Sequence, residues 1–211
     1  MSILLGLSPF IVFFVLMRLV SPVAGLVGAL VASALLCLAM RLRGASVKIL
    51  EVGSLVLFAL LAAYTLVAAP TWTVATVRLA VDAGLLGIVL VSLAIGRPFT
   101  IQYAREQVPA QFWASPIFTS VNRAITWVWA AAFAVMVAAD VAAEWVPAIP
   151  IWVDVVASVA AFLAAVWWSR WYPAKVRRAV AAAFGPESTP AGPVYWSPRW
   201  RTTSSAGSSG A

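Results

Sequence analysis

Long runs of apolar residues, separated by short polar or turn-forming breaks, dominate the pattern along the chain. A helix needs about 20 such residues to cross the hydrocarbon core of a bilayer. The runs predict six transmembrane helices, over residues 3–20, 23–40, 50–69, 72–95, 122–143 and 150–170. A membrane β-barrel would instead show alternating segments of about ten residues. The pattern therefore predicts an all-α, polytopic membrane protein.

Composition agrees with that prediction and narrows the chemistry. Apolar residues make up 64% of the 211 positions and charged residues 10%, whereas a soluble domain has about 25% charged residues. A chain of this length has no interior large enough to bury such an excess. Because histidine is absent and Cys37 is the single cysteine, imidazole ligands and an intramolecular disulfide are excluded. We expect no cofactor and no metal.

The basic residues lie mostly on one side of the predicted membrane. Twelve of the fourteen lysines and arginines fall on the side that would hold both termini. Cytoplasmic loops carry this excess, so the bias predicts a bacterial inner-membrane protein with cytoplasmic N and C termini. The net charge of +7 is then explained by topology and by anionic lipids on the cytoplasmic side. Nucleic-acid binding is not needed to explain it, and other membrane proteins or a second copy remain possible partners.

Two segments do not span the membrane in this prediction. Residues 98–117 are too short and too polar to cross, and an apolar side with Phe99 and Tyr103 predicts a cytoplasmic interfacial helix between the fourth and fifth spans. Residues 185–211, rich in Pro, Ser, Gly and Thr, predict a disordered cytoplasmic tail after a six-helix domain of residues 1–184. Within the spans, small residues four apart, such as Gly25 with Ala29, predict close helix contacts.

Arg78 and Asp82 are the most informative polar pair within a span. They lie four residues apart, so they share a helical face. An ionisable side chain inside a membrane span is energetically unfavourable and usually faces a bundle interior or a wet cavity. The pair predicts a proton site, a counter-charge for a substrate, or an acid acting on a lipid-like molecule. The alternative is an internal salt bridge that helps the bundle pack.

Other polar residues gather at the predicted membrane surfaces. A cytoplasmic group is a candidate site for lipid headgroups or a partner protein, and its members are Arg97, Gln102, Tyr103, Arg105, Glu106, Asn122 and Arg123. We expect ordinary positive-inside residues at Arg97 and Arg123, and a cap or interhelical hydrogen bond at Asn122. Asp140, Glu144 and Asp154 are expected to form a solvated outer rim, the alternative being a cation-attracting mouth. Lys48 and Glu51 predict an interfacial ion pair.

Several short motifs resemble the intracellular septation protein A family of bacterial inner-membrane proteins. They are residues 7–14 (LSPFIVFF), the alanine-rich second span with the basic loop 41–43 (RLR), residues 96–99 (GRPF), and Asn122 with Trp127, Ala130 and Phe133. The likeness covers most of residues 5–145, whereas the sixth span, the Gln102–Glu106 stretch and the tail depart from it. It implies a non-enzymatic role in envelope organisation or septation, with no catalytic residues to assign. The alternatives are a small transporter or channel using Arg78 and Asp82, and a membrane enzyme on a lipid or isoprenoid substrate.

Overall fold

The fold is a bundle of helices. The computed structural model describes residues 6–44, 46–68, 71–146 and 150–184. Within these ranges the elements are α-helices and one 3-10 helix, and there is no β-strand. The helices are α1 (Ser8–Leu19), α2 (Pro22–Leu42), α3 (Ile49–Ala68), α4 (Val74–Ala94), α5 (Phe99–Ala104), α6 (Pro116–Trp145) and α7 (Ile151–Phe184), with a short 3-10 helix at Ala110–Phe112.

Five of these helices, α2, α3, α4, α6 and α7, are long and apolar enough to cross a membrane. They indicate a multi-pass membrane protein and agree with the all-α prediction. The first predicted span corresponds to α1, which has 12 residues and is therefore about 18 Å long. Residues 3–5 of that span, and the predicted tail at 185–211, lie outside the described residues.

Local sequence explains where several helices begin and end. The Ser21 hydroxyl accepts a hydrogen bond from the amide of Ala24 at 3.1 Å, and Pro22 occupies the first turn of α2. Thr73 caps α4 in the same way. Gly96, with φ of +70°, follows α4, and the amide of Arg97 donates to the carbonyl of Ser92. Glycine is common just after a helix because it adopts a positive φ without strain.

The last two long helices extend beyond their predicted limits. α6 begins at Pro116 rather than near residue 122, because proline is well tolerated in the first turn of a helix. α7 continues through Pro173 to Phe184 rather than ending near residue 170. The short α5 occupies part of the segment predicted as an interfacial helix, and its Phe99 and Tyr103 are buried against the bundle.

Most helices pack against the next helix in the chain, and the exception is α4, which packs on α6. α1 packs on α2, α2 on α3, α3 on α4, α4 on α6 and α6 on α7, while α5 lies mainly against α6. Aromatic side chains fill the centre: Phe58 of α3 lies 5.1 Å, between ring centroids, from Phe10, and Trp129 of α6 lies 5.6 Å from Phe162. α7 contacts α6 along its length, so it forms one edge of the bundle.

The two ends of the bundle differ in charge. The acidic end, where α4 and α7 begin and α6 ends, carries Asp82, Asp140, Glu144 and Asp154. The basic end, where α2 and α4 end and α3 and α6 begin, carries Arg41, Arg43, Lys48, Arg97, Arg105 and Arg123. This separation positions the candidate site described below.

Replacing Gly25 by alanine is expected to destabilise the bundle. A Cβ atom on Gly25 would lie 3.0 Å from the backbone oxygen of Phe13, so α1 and α2 must move apart. We expect a loss of about 1–3 kcal/mol, measured by thermal unfolding in detergent. Gly87 is the matched control, because a Cβ there meets nothing within 4 Å and alanine favours the helix. Equal melting temperatures for Gly25→Ala and Gly87→Ala would contradict the packing described.

Candidate intramembrane charge cluster

Arg78 of α4 reaches across the bundle to two other helices. Its guanidinium forms a two-point ion pair with Asp154 of α7, with Nη2 lying 3.2 Å from Oδ1. Nη2 also lies 3.2 Å from Oδ1 of Asp140 on α6 and donates to the Ser158 hydroxyl on α7. All four side chains are buried. One arginine therefore ties together α4, α6 and α7.

The predicted pairing of Arg78 with Asp82 is not the one that forms. None of the ion pairs among the described residues joins these two side chains, although both are buried on the same helix. Arg78 instead pairs with carboxylates on the facing helices, to which its planar guanidinium can donate two parallel hydrogen bonds. Both side chains nevertheless lie within the buried polar cluster.

The expected solvated rim is wrong for two of its three members. Asp140 is 0% exposed and Asp154 is 2% exposed, and both face Arg78. Glu144 alone is exposed, and its carboxylate accepts long hydrogen bonds from the hydroxyls of Thr73 and Thr76. The rim prediction failed because it assumed that α6 and α7 meet solvent at residues that in fact lie within the packed bundle.

Asp82 completes the cluster as a second carboxyl beside Asp140. The two carboxyl groups are close enough to interact electrostatically. Both oxygens of Asp82 are buried, and no protein N–H or O–H in the described part of the chain donates to either. Two ionised carboxylates close together repel each other, and a proton on one of them removes the repulsion.

The charges in this cluster do not balance. The cluster holds one guanidinium and three carboxyl groups, two of which contact the guanidinium, so two negative charges are left over if all three are ionised. Unpaired charge in a low-dielectric interior is strongly unfavourable. Within the described ranges, no three acidic or cysteine side chains are arranged to hold a metal ion. Protons on the carboxyls are then the simplest means of neutralising the excess.

The cluster lies near the acidic end rather than at the bilayer centre. Arg78 is four residues and Asp82 eight residues from the start of α4, which places them about 6 Å and 12 Å along the helix. Glu144 lies one turn beyond Asp140 on α6 and is exposed. Polar side chains therefore extend from the surface of the acidic end to the carboxyl pair.

A second ionic group lies at the basic end. Lys48 is 1% exposed, and its Nζ lies 2.9 Å from Glu106, 3.9 Å from Glu51 and 4.5 Å from the centre of the Tyr103 ring. The Lys48 amide donates to Glu51, and the Ile49 amide donates to the Gln102 side chain. The expected Lys48–Glu51 ion pair is present but buried. These contacts join α5 and the residues after it to the start of α3.

Burial sets the ionisation at this end. It raises the pKa of the Tyr103 hydroxyl, and the carboxylates of Glu51 and Glu106 raise it further, so Tyr103 stays neutral. Partial burial acts to raise the pKa of Glu106, but the Lys48 ammonium opposes this and the pKa is lowered. A lowered carboxyl pKa stabilises the fold above the pKa of unfolded glutamate. That contribution is lost as the pH falls through the folded value.

The remaining residues of the predicted cytoplasmic site do not form one cluster. Arg97, Arg105 and Arg123 are exposed, as expected of positive-inside residues, and Arg105 lies over the Trp113 ring at 5.1 Å. Asn122 is buried inside α6 and donates to the carbonyl of Phe118, so it is not a helix cap. Lys48 and Gln102 line a groove of about 450 Å³ between α3 and α4.

Sequence reasoning missed Asp140, Asp154 and Ser158 as members of the site. The sequence feature that predicts burial of the two aspartates is the run of apolar residues beside each. Asp140 follows MVAA, and Asp154 lies between IWV and VVA. Asp82 has the same kind of surroundings and was selected for that reason. Treating all three acids alike would have placed them in one buried group.

Comparison with models of protein families, with curated proteins and with solved structures finds no match. The resemblance to the septation protein A family, and the envelope role that it implies, therefore stay predictions.

Arg78→Gln is expected to destabilise the protein more than any single aspartate substitution in the cluster. It leaves three carboxyls without a cation, and breaking a buried ion pair by removing one partner costs about 3–5 kcal/mol. Asp82→Asn removes surplus negative charge, so its effect should be much smaller. Thermal unfolding in detergent at neutral pH, followed by circular dichroism, compares the two variants. A larger loss of stability for Asp82→Asn would contradict the charge balance described.

Proposed function

We propose that this chain is a proton-coupled membrane transporter in which Asp82 and Asp140 share a proton that is bound and released during transport. The observation that carries the proposal is the single arginine in a cluster of three buried carboxyls, two of which contact it, at the junction of α4, α6 and α7. A purely structural salt bridge needs one carboxylate for one guanidinium. Surplus buried carboxyls are typical of proton relays in membrane proteins.

Protonation at this site would alter the contact between helices. When Asp140 is protonated, Arg78 is left with Asp154 and Ser158 as its partners, and α4 is held mainly to α7. When Asp140 is ionised, it competes for the same guanidinium at 3.2 Å and draws α6 toward α4. Proton occupancy thereby favours one of two arrangements of three helices, which is what coupling to a conformational change requires.

The interior of the bundle favours a carrier over an open channel. Leu85 and Val89 of α4 are buried between Asp82 and the basic end, and Phe13 and Phe58 are fully buried in the same core. Ions do not cross such an apolar layer without a rearrangement. The arrangement also favours transport over a lipid-modifying enzyme, because the Asp82 carboxyl is buried among helices rather than presented to lipid.

The wider setting of the proposal is a bacterial inner membrane crossed six times. The five long helices support a multi-pass protein, and α1 supplies the sixth crossing in this proposal. The basic residues support an orientation with the basic end in the cytoplasm. The acidic end then faces the periplasm.

Proton binding is testable without knowledge of the transported solute. Proteoliposomes of the full chain are adsorbed on a solid-supported membrane, and a rapid pH step is applied. The wild type is expected to give a transient current as protons bind in the membrane field. D82N/D140N is expected to abolish it, because among the described residues Asp154, which is paired with Arg78, is the one carboxyl of the cluster that remains.

Glu144→Gln is the matched control, because Glu144 is an acid on the same helix as Asp140 but is exposed. Its current should persist, while circular dichroism should show all three proteins folded. A wild-type current no larger than that of protein-free liposomes would overturn the proposal. So would an undiminished current in a folded D82N/D140N variant.

A further inference from the structure

α7 is too long to be accommodated in the bilayer core. Its 34 residues extend about 51 Å, whereas the hydrocarbon core is about 30 Å thick. Because α7 begins at the acidic end, its excess length emerges at the basic end. Trp167, Trp168, Trp171 and Tyr172 lie at this exit, and two pairs of their rings are stacked. Aromatic rings of this kind are typical of the headgroup level of a membrane.

The helix beyond this exit is strongly basic. Residues 155–184 contain no aspartate or glutamate, and their four charged side chains are Arg170, Lys175, Arg177 and Arg178. None of these four forms an ion pair within the described chain. By contrast, the buried cations Lys48 and Arg78 both have carboxylate partners. The cations of α7 thus retain their full charge for a ligand outside the protein.

Three of these side chains share one helical face. Trp171, Lys175 and Arg178 are spaced four and three residues apart, so they form a continuous row. Lys175 Nζ lies 4.9 Å from the centre of the Trp171 ring, and Arg178 Nε donates to the carbonyl of Ala174 at 3.3 Å, which leaves its terminal nitrogens free to donate. Lys175 and Arg178 are exposed.

We propose that Trp171, Lys175 and Arg178 form a binding site for the phosphate headgroup of an anionic phospholipid in the adjacent leaflet. The guanidinium and ammonium groups supply charge-assisted hydrogen bonds to phosphate oxygens. The indole positions the row at the depth of the headgroups. This proposal is independent of proton transport, because the site lies at the opposite end of the bundle from Asp82 and Asp140.

Native mass spectrometry of the detergent-solubilised full chain tests the site. Phosphatidylglycerol and phosphatidylcholine are titrated separately, and bound lipids are counted. The wild type should bind phosphatidylglycerol preferentially. K175Q/R178Q should weaken that binding about 30-fold, because each of the two cations that contact the headgroup in this proposal contributes on the order of fivefold. The charge-preserving variant K175R/R178K should retain most of the affinity.

The matched control is R41Q/R43Q, which removes two exposed cations from the same end of the bundle. It should leave the phosphatidylglycerol affinity within about twofold of wild type, because it lies outside the row. Equal weakening by both double variants would show a general effect of net charge and overturn the site. Equal binding of phosphatidylcholine and phosphatidylglycerol by the wild type would also overturn it. All the substituted residues are exposed, so folding should be unchanged.

Discussion

The buried guanidinium of Arg78 is the interaction on which the acidic end of this bundle depends. It contacts Asp140 on α6 and Asp154 and Ser158 on α7, so three helices meet at one planar cation. Burying a charge is unfavourable unless its partners are well placed, and arginine suits this because its nitrogens can serve several oxygens at once. The position of α7, which otherwise packs mainly on α6, is fixed relative to α4 by this contact.

The same contact explains why the site cannot be electrically neutral without protons. Asp154 already supplies the charge that balances Arg78, yet Asp140 and Asp82 adjoin it as well. An interior that served stability alone would be expected to replace these acids by apolar residues of similar size, because such replacements are often neutral or stabilising. Retaining them suggests a use for their titration. At the opposite end, Lys48 has two carboxylate neighbours, but there Glu106 is partly exposed and solvent moderates the imbalance.

Much of this architecture is predictable from sequence because membrane insertion imposes strong local constraints. Run length and hydropathy predicted the five long helices. Asp82 and Arg78 were recognisable as buried from their depth in one apolar run. Their partners were not, because pairing across helices depends on how far each helix slides and rotates against its neighbours. Because α6 begins at Pro116, earlier than predicted, Asn122 lies in the helix interior rather than at the predicted cap position.

The central claim, that the Asp82–Asp140 pair holds a proton inside the membrane, is tested most directly by infrared spectroscopy of the full chain in lipid at neutral pH. A protonated carboxyl has a C=O stretch that shifts on exchange into D₂O and that ionised carboxylates lack. The wild type and Glu144→Gln should both show this band, and D82N/D140N should lose it. A wild-type spectrum without the band, or a band that persists unchanged in a folded D82N/D140N variant, would contradict the account.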